Sequence, residues 1–240
     1  MEELSYFKKS TYLMHVIVPL AGPDYFRGKK PKGLSLSIDK SPQLKHTLDS
    51  RLWSKLKNLK YTFILKDSKN SRIFVEKYLK NWYPEASFIF LSKYTKGAAF
   101  SALSAISFQD LKDNDPLIFD LADIYFETSI FPDFEKDFID FSFIGYSFKS
   151  NLDKYSYYKI ENDIIKYAQE KKVISNNAST GVYIYKNAYI FLEAFSKVLS
   201  NLEAYLHNDL LYLCPIVNGL IKNGKKCKLI CVDNYHDYKN

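Results

Sequence analysis

The stretch "VIVPLAGPDYFRGKKPKGL" (16–34) decides how this chain is read. Its first residues are short, β-branched and apolar almost throughout, the pattern of a strand covered on both faces. The run breaks at Gly22-Pro23 and turns basic, with Arg27, Lys29, Lys30 and Lys32 close together and Pro31 stiffening the segment that carries Lys32. Gly22 lets backbone approach a phosphate that a Cβ would hold off. Two readings fit these residues: a phosphate-binding loop opening from a buried strand, or a strand followed by a solvated basic turn.

Working outward, the same kind of run recurs. YTFIL (61–65), SFIFL (87–91) and PLIFDL (116–121) join HVIVPL (15–20) as short, nearly continuous apolar segments, and together they predict the middle of a mostly parallel sheet. Between the first two, SPQLKHTLDSRLWSKLKNL (41–59) places Leu44, Leu48, Leu52, Leu56 and Leu59 at spacings of three and four. With Ser41 as cap and Pro42 at the first helical position, this predicts one long crossover helix. NSRIFVEKYLKNW (70–82), ending before Pro84, and KGAAFSALSAISF (96–108) predict two more. The order β-α-β-α-β-α-β implies an α/β fold, a mostly parallel mixed sheet sandwiched by helices.

The pattern then changes. FSFIGYSFK (141–149), YSYYKI (155–160), DIIKYA (163–168) and GVYIYK (181–186) read as sheet segments, with Asn162-Asp163 as a hairpin turn. Helical stretches are expected at about 188–205 and 208–222, then a last strand, CKLICV. No Gly/Ser-rich linker or internal repeat interrupts the chain, so the expectation is a single domain over 1–240 whose second half extends the first sheet.

A chain of 240 residues with 47% hydrophobic content can bury a full core. Cys214, Cys227 and Cys231 cannot all pair with one another and stand in apolar surroundings, so they read as buried small side chains in a reducing compartment. The four histidines, His15, His46, His207 and His236, are scattered, and His15 reads as a core or edge histidine. Metal chemistry therefore falls to carboxylates. No apolar run reaches the roughly 20 residues of a membrane span, and Glu2 and Glu3 stand where a secretory leader carries positive charge. The expected location is the cytoplasm, without membrane insertion. The net charge of +7 is spread along the whole chain, with no basic cluster beside a recognition motif, which argues against nucleic acid as partner.

The fourth apolar run ends in "LIFDLADIYFE" (117–127). A carboxylate at the end of a buried strand is poorly explained by packing, and Mg²⁺ held by one or two carboxylates plus substrate phosphates is a common use of one. Asp123 is the better candidate, because the apolar run has just finished, although a turn or cap role is open to it. Asp120 reads as a cap or brace for the loop. Ligands of open parallel sheets bind beyond the carboxyl ends of the strands, where both stretches lie.

The co-linear order of "PLAG", Arg27 and "PKGL", then "SKYTKGAAFSAL", "DLADIYF", "YSYYKIENDIIKYAQEKKVISNNASTGVYIY" and "PIVNGLIKNGKKCKLICV" resembles the sugar-phosphate nucleotidyltransferases, over about residues 14–232. The resemblance implies a GT-A-like, Rossmann-related fold, with about 14–125 as the nucleotide-binding half and about 126–240 as the acceptor-binding half. It implies a loop of Leu20, Ala21, Gly22, Arg27 and Lys32 around a nucleoside triphosphate, with Thr95 and Gly97 near the nucleotide. Asp123 matches the Mg²⁺-binding aspartate, and Asp237 or Asp233 stands for a second one. Glu170, Lys171 and Gly181 match the acceptor contacts, and Arg27, Lys32 and Asp123 would carry catalysis. Asp24 stands where the family has a second glycine. The implied reaction moves a nucleoside monophosphate onto a sugar phosphate or related small phosphorylated acceptor, for surface-polysaccharide precursors such as capsule or lipopolysaccharide. A GT-A glycosyltransferase and a non-catalytic nucleotide binder are the alternatives. Tyr155, Tyr157 and Tyr158 either edge the acceptor pocket or pack as core.

Overall fold

The computed structural model describes residues 12–109 and 111–238, so the acidic start at Glu2 and Glu3 lies outside the described residues. In chain order the strands are β1 (Met14–Pro19), β2 (Phe26–Arg27), β3 (Lys30–Pro31), β4 (Leu59–Lys66), β5 (Ser87–Leu91), β6 (Leu117–Asp120) and β7 (Ile124–Glu127). They continue as β8 (Phe143–Lys149), β9 (Tyr157–Glu161), β10 (Ile164–Gln169), β11 (Asn177–Tyr185), β12 (Cys227–Cys231) and β13 (Asn234–Asp237). Nine of them form one sheet in the order β5-β4-β1-β6-β11-β8-β12-β10-β9.

The four apolar runs form the parallel end of the sheet, in which β4 pairs with β1 and β5, and β1 with β6. The expectation that they form its middle is corrected: β5 is the half-buried edge strand, because the second half of the chain adds its strands on the β6 side only. The second half is mixed. β11 runs antiparallel to both β6 and β8, while β12 is parallel to β8. The β9–β10 hairpin is closed by Asn162 and Asp163, both at positive φ (49° and 59°), the conformation of a tight two-residue turn that fixes antiparallel pairing.

Both faces of the sheet are covered. On one face Val16, Val18 and Phe63 pack with Leu44, Leu48, Trp53, Phe74 and Leu79. On the other, Ile17, Ile64 and Phe119 pack with Ala99, Ala102, Phe191, Phe195 and Leu220. Alternate residues of β1 thus feed opposite cores, the period-two geometry of a strand. This two-sided burial is why its sequence reads as an unbroken apolar run.

The helices are where sequence and structure part. The helix at 70–82 is present, built from Lys69–Phe74, a π-type turn Val75–Leu79 and a last turn Lys80–Trp82, and the Ser68 side chain caps it by accepting from the Ser71 amide. The helix expected at 96–108 spans Ala98–Ile106. The long helix expected at 41–59 is corrected: only Gln43–Asp49 is α-helical, and a 3₁₀ turn follows at Leu52–Lys55. Arg51 is extended (φ −66°, ψ 137°) and takes the chain out of the helix so that its guanidinium and the Trp53 indole can be buried. Ser41 is not its cap; its hydroxyl serves Asp39 instead. In the region 208–222 only the 3₁₀ turn Cys214–Ile216 and the helix Val217–Lys222 form, because Asn208 and Asp209 adopt positive φ and the Leu211 backbone is bonded elsewhere. The stretch 188–205 divides into the helix Ala188–Leu199 and a 3₁₀ turn, Leu202–Tyr205.

Cys214 and Cys227 are buried as expected, whereas Cys231, at the end of β12, is exposed. His15 is buried, with its Nε2 3.4 Å from Asp115 Oδ2. Tyr157 and Tyr158 are wholly buried and belong to the core rather than to a pocket rim. Among the described residues no helix is long and apolar enough to cross a membrane.

Candidate active site

The topology marks one place on the sheet. From β1 the chain moves outward through β4 to β5, with connecting helices on one face, then returns past β1 to β6 through a helix on the other face. The strand order therefore reverses between β1 and β6, and the crevice at their carboxyl ends is where such sheets bind ligands. The loop after β1 and the loop after β6 both open there.

The loop after β1 is ordered by its own contacts. The Tyr25 amide donates to Gly22 O and the Lys32 amide to Tyr25 O. β2 and β3 form a short hairpin, turned at Gly28 (φ 63°), that places Arg27 on its exposed tip. Tyr25 and Phe26 anchor the hairpin against Phe74. Asp24 forms an ion pair with Lys32, so its negative charge is neutralised within the loop. Leu20 and Ala21 are buried at the root of the loop, while Gly22 is exposed. Burial pushes the Tyr25 phenol well above its usual range, against the backbone of Gly33, and the charge of Asp123 adds to the shift.

Asp120 is the last residue of β6 and is wholly buried. Arg51 grips it with two hydrogen bonds, Nε to Oδ2 at 2.8 Å and Nη2 to Oδ1 at 3.2 Å, and the same Nη2 donates to Ile124 O at 2.9 Å. The guanidinium lies over the Phe126 ring, 4.1 Å from its centroid. Asp120 Oδ1 also accepts the Ala122 amide at 2.8 Å. The brace that Asp120 suggests in sequence is thus real, and its partner Arg51 was not among the candidates. Asp123 is half-buried and leads into β7, which pairs antiparallel with β13 in a small second sheet. Neither β7 nor β13 was expected, although the alternation of buried Ile124 and Phe126 with more exposed Tyr125 and Glu127 is the period-two signal of a half-buried strand.

The turn at 95–97 precedes the helix Ala98–Ile106. Gly97 has φ 108°, and a Cβ there would lie 2.2 Å from Leu211 O. That contact closes the turn, with the Leu211 amide donating to Lys96 O and the Ala99 amide to Leu211 O. Thr95 Oγ1 donates to Gly97 O at 2.9 Å. The next residue along, Tyr212, has its ring 5.1 Å from Lys171 Nζ, so the turn and the expected acceptor lysine meet across one short segment. Glu170 is buried and accepts a hydrogen bond from the Ser156 hydroxyl. Gly181 (φ 82°) sits in a bulge of β11, and its carbonyl accepts the Leu121 amide at 3.0 Å, which ties β11 to the loop that carries Asp123.

Asp237 pairs in register with Ile124, next to Asp123 along the chain. As a metal ligand it does not fit. Its carboxylate holds Lys154 Nζ at 2.8 Å and the Tyr155 hydroxyl, so the chain's own ammonium already neutralises it. Burial foremost, then that hydrogen bond, push the Tyr155 phenol above its usual range. Asp233, the other C-terminal aspartate, is exposed between β12 and β13. Among the described residues no cluster of three or more His, Cys, Asp or Glu side chains is placed to hold a metal. Asp123, a single half-buried carboxylate at the mouth of the crevice, fits the mode in which Mg²⁺ takes most of its ligands from phosphates and water. Beside Asp237 opens a cleft of about 600 Å³, lined by Leu36, Ser150, Leu152, Tyr155, Tyr235 and Tyr238 among others. Tyr155 is the one tyrosine of its group that edges it.

With this geometry in hand, the comparisons are specific about fold. The chain is similar to the nucleoside-diphosphate-sugar pyrophosphorylase from Vibrio cholerae RC9, at TM-score 0.77 and 19% identity, covering 93% of this chain and 95% of that one. It is similar to the inositol-1-phosphate CTP transferase from T. maritima, at TM-score 0.65, 18% identity and coverage of 93% and 88%. It is also similar to a UDP-glucose pyrophosphorylase complexed with UDP-glucose, at TM-score 0.64, 17% identity and coverage of 92% and 91%. No protein-family model and no curated protein matches the chain. The chain has the α/β fold of these nucleotidyltransferases over nearly its whole length.

Proposed function

We propose that the protein is a nucleotidyltransferase that moves a nucleoside monophosphate from a nucleoside triphosphate to a sugar phosphate or related small phosphorylated acceptor. What supports this reading is that the 20–32 loop and the loop of Asp123 leave the carboxyl ends of the adjacent parallel strands β1 and β6, at the reversal point, in a fold whose similar structures are named for such transfers. Arg27 and Lys32 would bind the triphosphate, with the Thr95–Gly97 turn at the nucleotide. Glu170, Lys171 and Gly181 would face the acceptor. An acceptor phosphate oxygen attacks the α-phosphorus in line, a new P–O bond forms as the bond to the bridging oxygen breaks, and pyrophosphate leaves with the electron pair. The acceptor phosphate is already anionic near neutral pH, so no general base is needed. Mg²⁺, held by Asp123 and the phosphates, would supply neutralising charge. A cytoplasmic role in surface-polysaccharide precursor synthesis is the finer form of this proposal. The alternative of a glycosyltransferase with a two-carboxylate metal motif is disfavoured by Asp120, whose carboxylate is committed to Arg51.

The test pairs binding with turnover. Each of the four common nucleoside triphosphates, with Mg²⁺, is screened for thermal stabilisation, about 2.7 kcal/mol being expected at a hundredfold excess over Kd. The triphosphate that binds is then assayed for pyrophosphate release with a panel of sugar phosphates. The expected result is release with one pairing and a loss of about 100-fold or more in Asp123→Asn. Binding without release for any acceptor would favour the non-catalytic binder, and no binding would overturn the reading.

A further inference from the structure

We infer that Arg51 is the residue that positions Asp123, acting through its buried pair with Asp120; the functional meaning of this position rests on the nucleotidyl-transfer reading above. The connection from β6 to β7 consists of Leu121, Ala122 and Asp123. Its backbone is tied on both sides of Asp123: Leu121 N–H to Gly181 O, Ala122 N–H to Asp120 Oδ1, and Ile124 C=O from Arg51 Nη2. One guanidinium therefore grips the residue at the start of the turn and the carbonyl just past Asp123.

Two further observations separate this from ordinary packing. Ala122 has φ 53°, a left-handed conformation unfavourable for a residue with a Cβ, and it persists because the surroundings impose it. The ion pair is also a poor device for stability alone. Both partners are fully desolvated, and Arg51 Nη1 has no hydrogen-bond partner among the described residues, a loss that an apolar pair of the same volume would avoid. What such a pair offers instead is geometry: a planar fork fixes direction as well as distance. Arg51 leaves the helix Gln43–Asp49 to make this contact, so the price in helix length is visible in the fold.

The experiment compares Arg51→Lys, which keeps charge but loses the fork, and Asp120→Asn, which keeps shape and an acceptor for Ala122. Val198→Ala, in the core of the opposite face, serves as a destabilised control. Two readouts are taken on folded protein well below each variant's melting temperature: kcat and KM for pyrophosphate release, and the hydrogen-exchange rate of the Ala122 amide. The expected result is a fall in kcat of about 100-fold in Arg51→Lys with acceptor KM changed less than threefold. Ala122 exchange should accelerate at least tenfold while amides of β1 stay protected, and Val198→Ala should change neither. Equal kcat in Arg51→Lys and the control, or unchanged Ala122 exchange, overturns the inference. If Arg51→Lys does not fold, Asp120→Asn decides by the same criteria. If the wild type transfers no nucleotide, the functional reading falls, and Ala122 exchange alone still decides whether Arg51 holds the turn.

Discussion

At the scale of single residues, Gly97 shows how a weak sequence signal becomes a strong structural one. A glycine before a helix is common, and only the structure reveals that its missing Cβ would sit against the Leu211 carbonyl. Gly97→Ala combines an unfavourable φ with that collision, so we expect a loss of at least about 2 kcal/mol in a urea melt; a loss under about 0.5 kcal/mol would mean that the turn is not closed as described. His15 gives a prediction in pH. Burial lowers its pKa below 6.5, although Asp115 opposes the shift; Lys60 lowers it further and Gln109 raises it. The unfolded chain then binds more protons than the fold at pH values below 6.5, so stability is full above that value and falls as pH drops towards the folded pKa. Melts between pH 8 and pH 5 should show a steeper loss for the wild type than for His15→Gln, and parallel curves would refute the assignment. Asp123 stood out in the sequence because a carboxylate at the end of an apolar run needs a reason, and Gly181 and Glu170 stood out through the family resemblance alone. Arg51, Lys154 and Ser156 did not, since their roles depend on partners 69, 83 and 14 residues away.

At the scale of elements, periodicity named most of them and misjudged three lengths, at 41–59, 188–205 and 208–222. The leucines of 41–59 keep helical spacing, yet burial of Arg51 and Trp53 stops the helix after Asp49. Local propensity is worth tenths of a kcal/mol per residue, and a buried side chain outweighs it. The helices Ala188–Leu199 and Val217–Lys222 meet at Gly219, where a Cβ would lie 2.1 Å from Ala194 O. Gly219→Ala should push the pair apart at a cost of about 1–3 kcal/mol, read as a fall in melting temperature of several degrees. An unchanged melting temperature would show that the contact can relax. The β7–β13 pair escaped the sequence reading because a four-residue strand has too few alternations to stand out, and its partner lies more than a hundred residues on.

At the scale of the whole molecule, the last strand of the main sheet is not at its edge. β12 lies between β8 and β10, so the sheet cannot be completed until the chain has reached residue 231. Removal of residues 226–240 would leave β8 and β10 with unpaired edges inside the sheet, and we expect no soluble protein on expression, because open apolar edges aggregate. Soluble truncated protein with native circular dichroism would show that the parallel half is sufficient by itself. The sequence alone determined the α/β class, the four strands of the parallel half, the hairpin at Asn162-Asp163 and the general places of the two loops, since each depends on local periodicity, turn chemistry or the rule for parallel sheets. Only the tertiary structure decided that Asp120 belongs to Arg51, that Asp237 belongs to Lys154 and Tyr155, and that Asp24 is answered by Lys32. The physical reason is that a charge is assigned by whichever opposite charge the fold brings within about 3 Å, and that proximity is a property of topology which no single stretch of sequence contains.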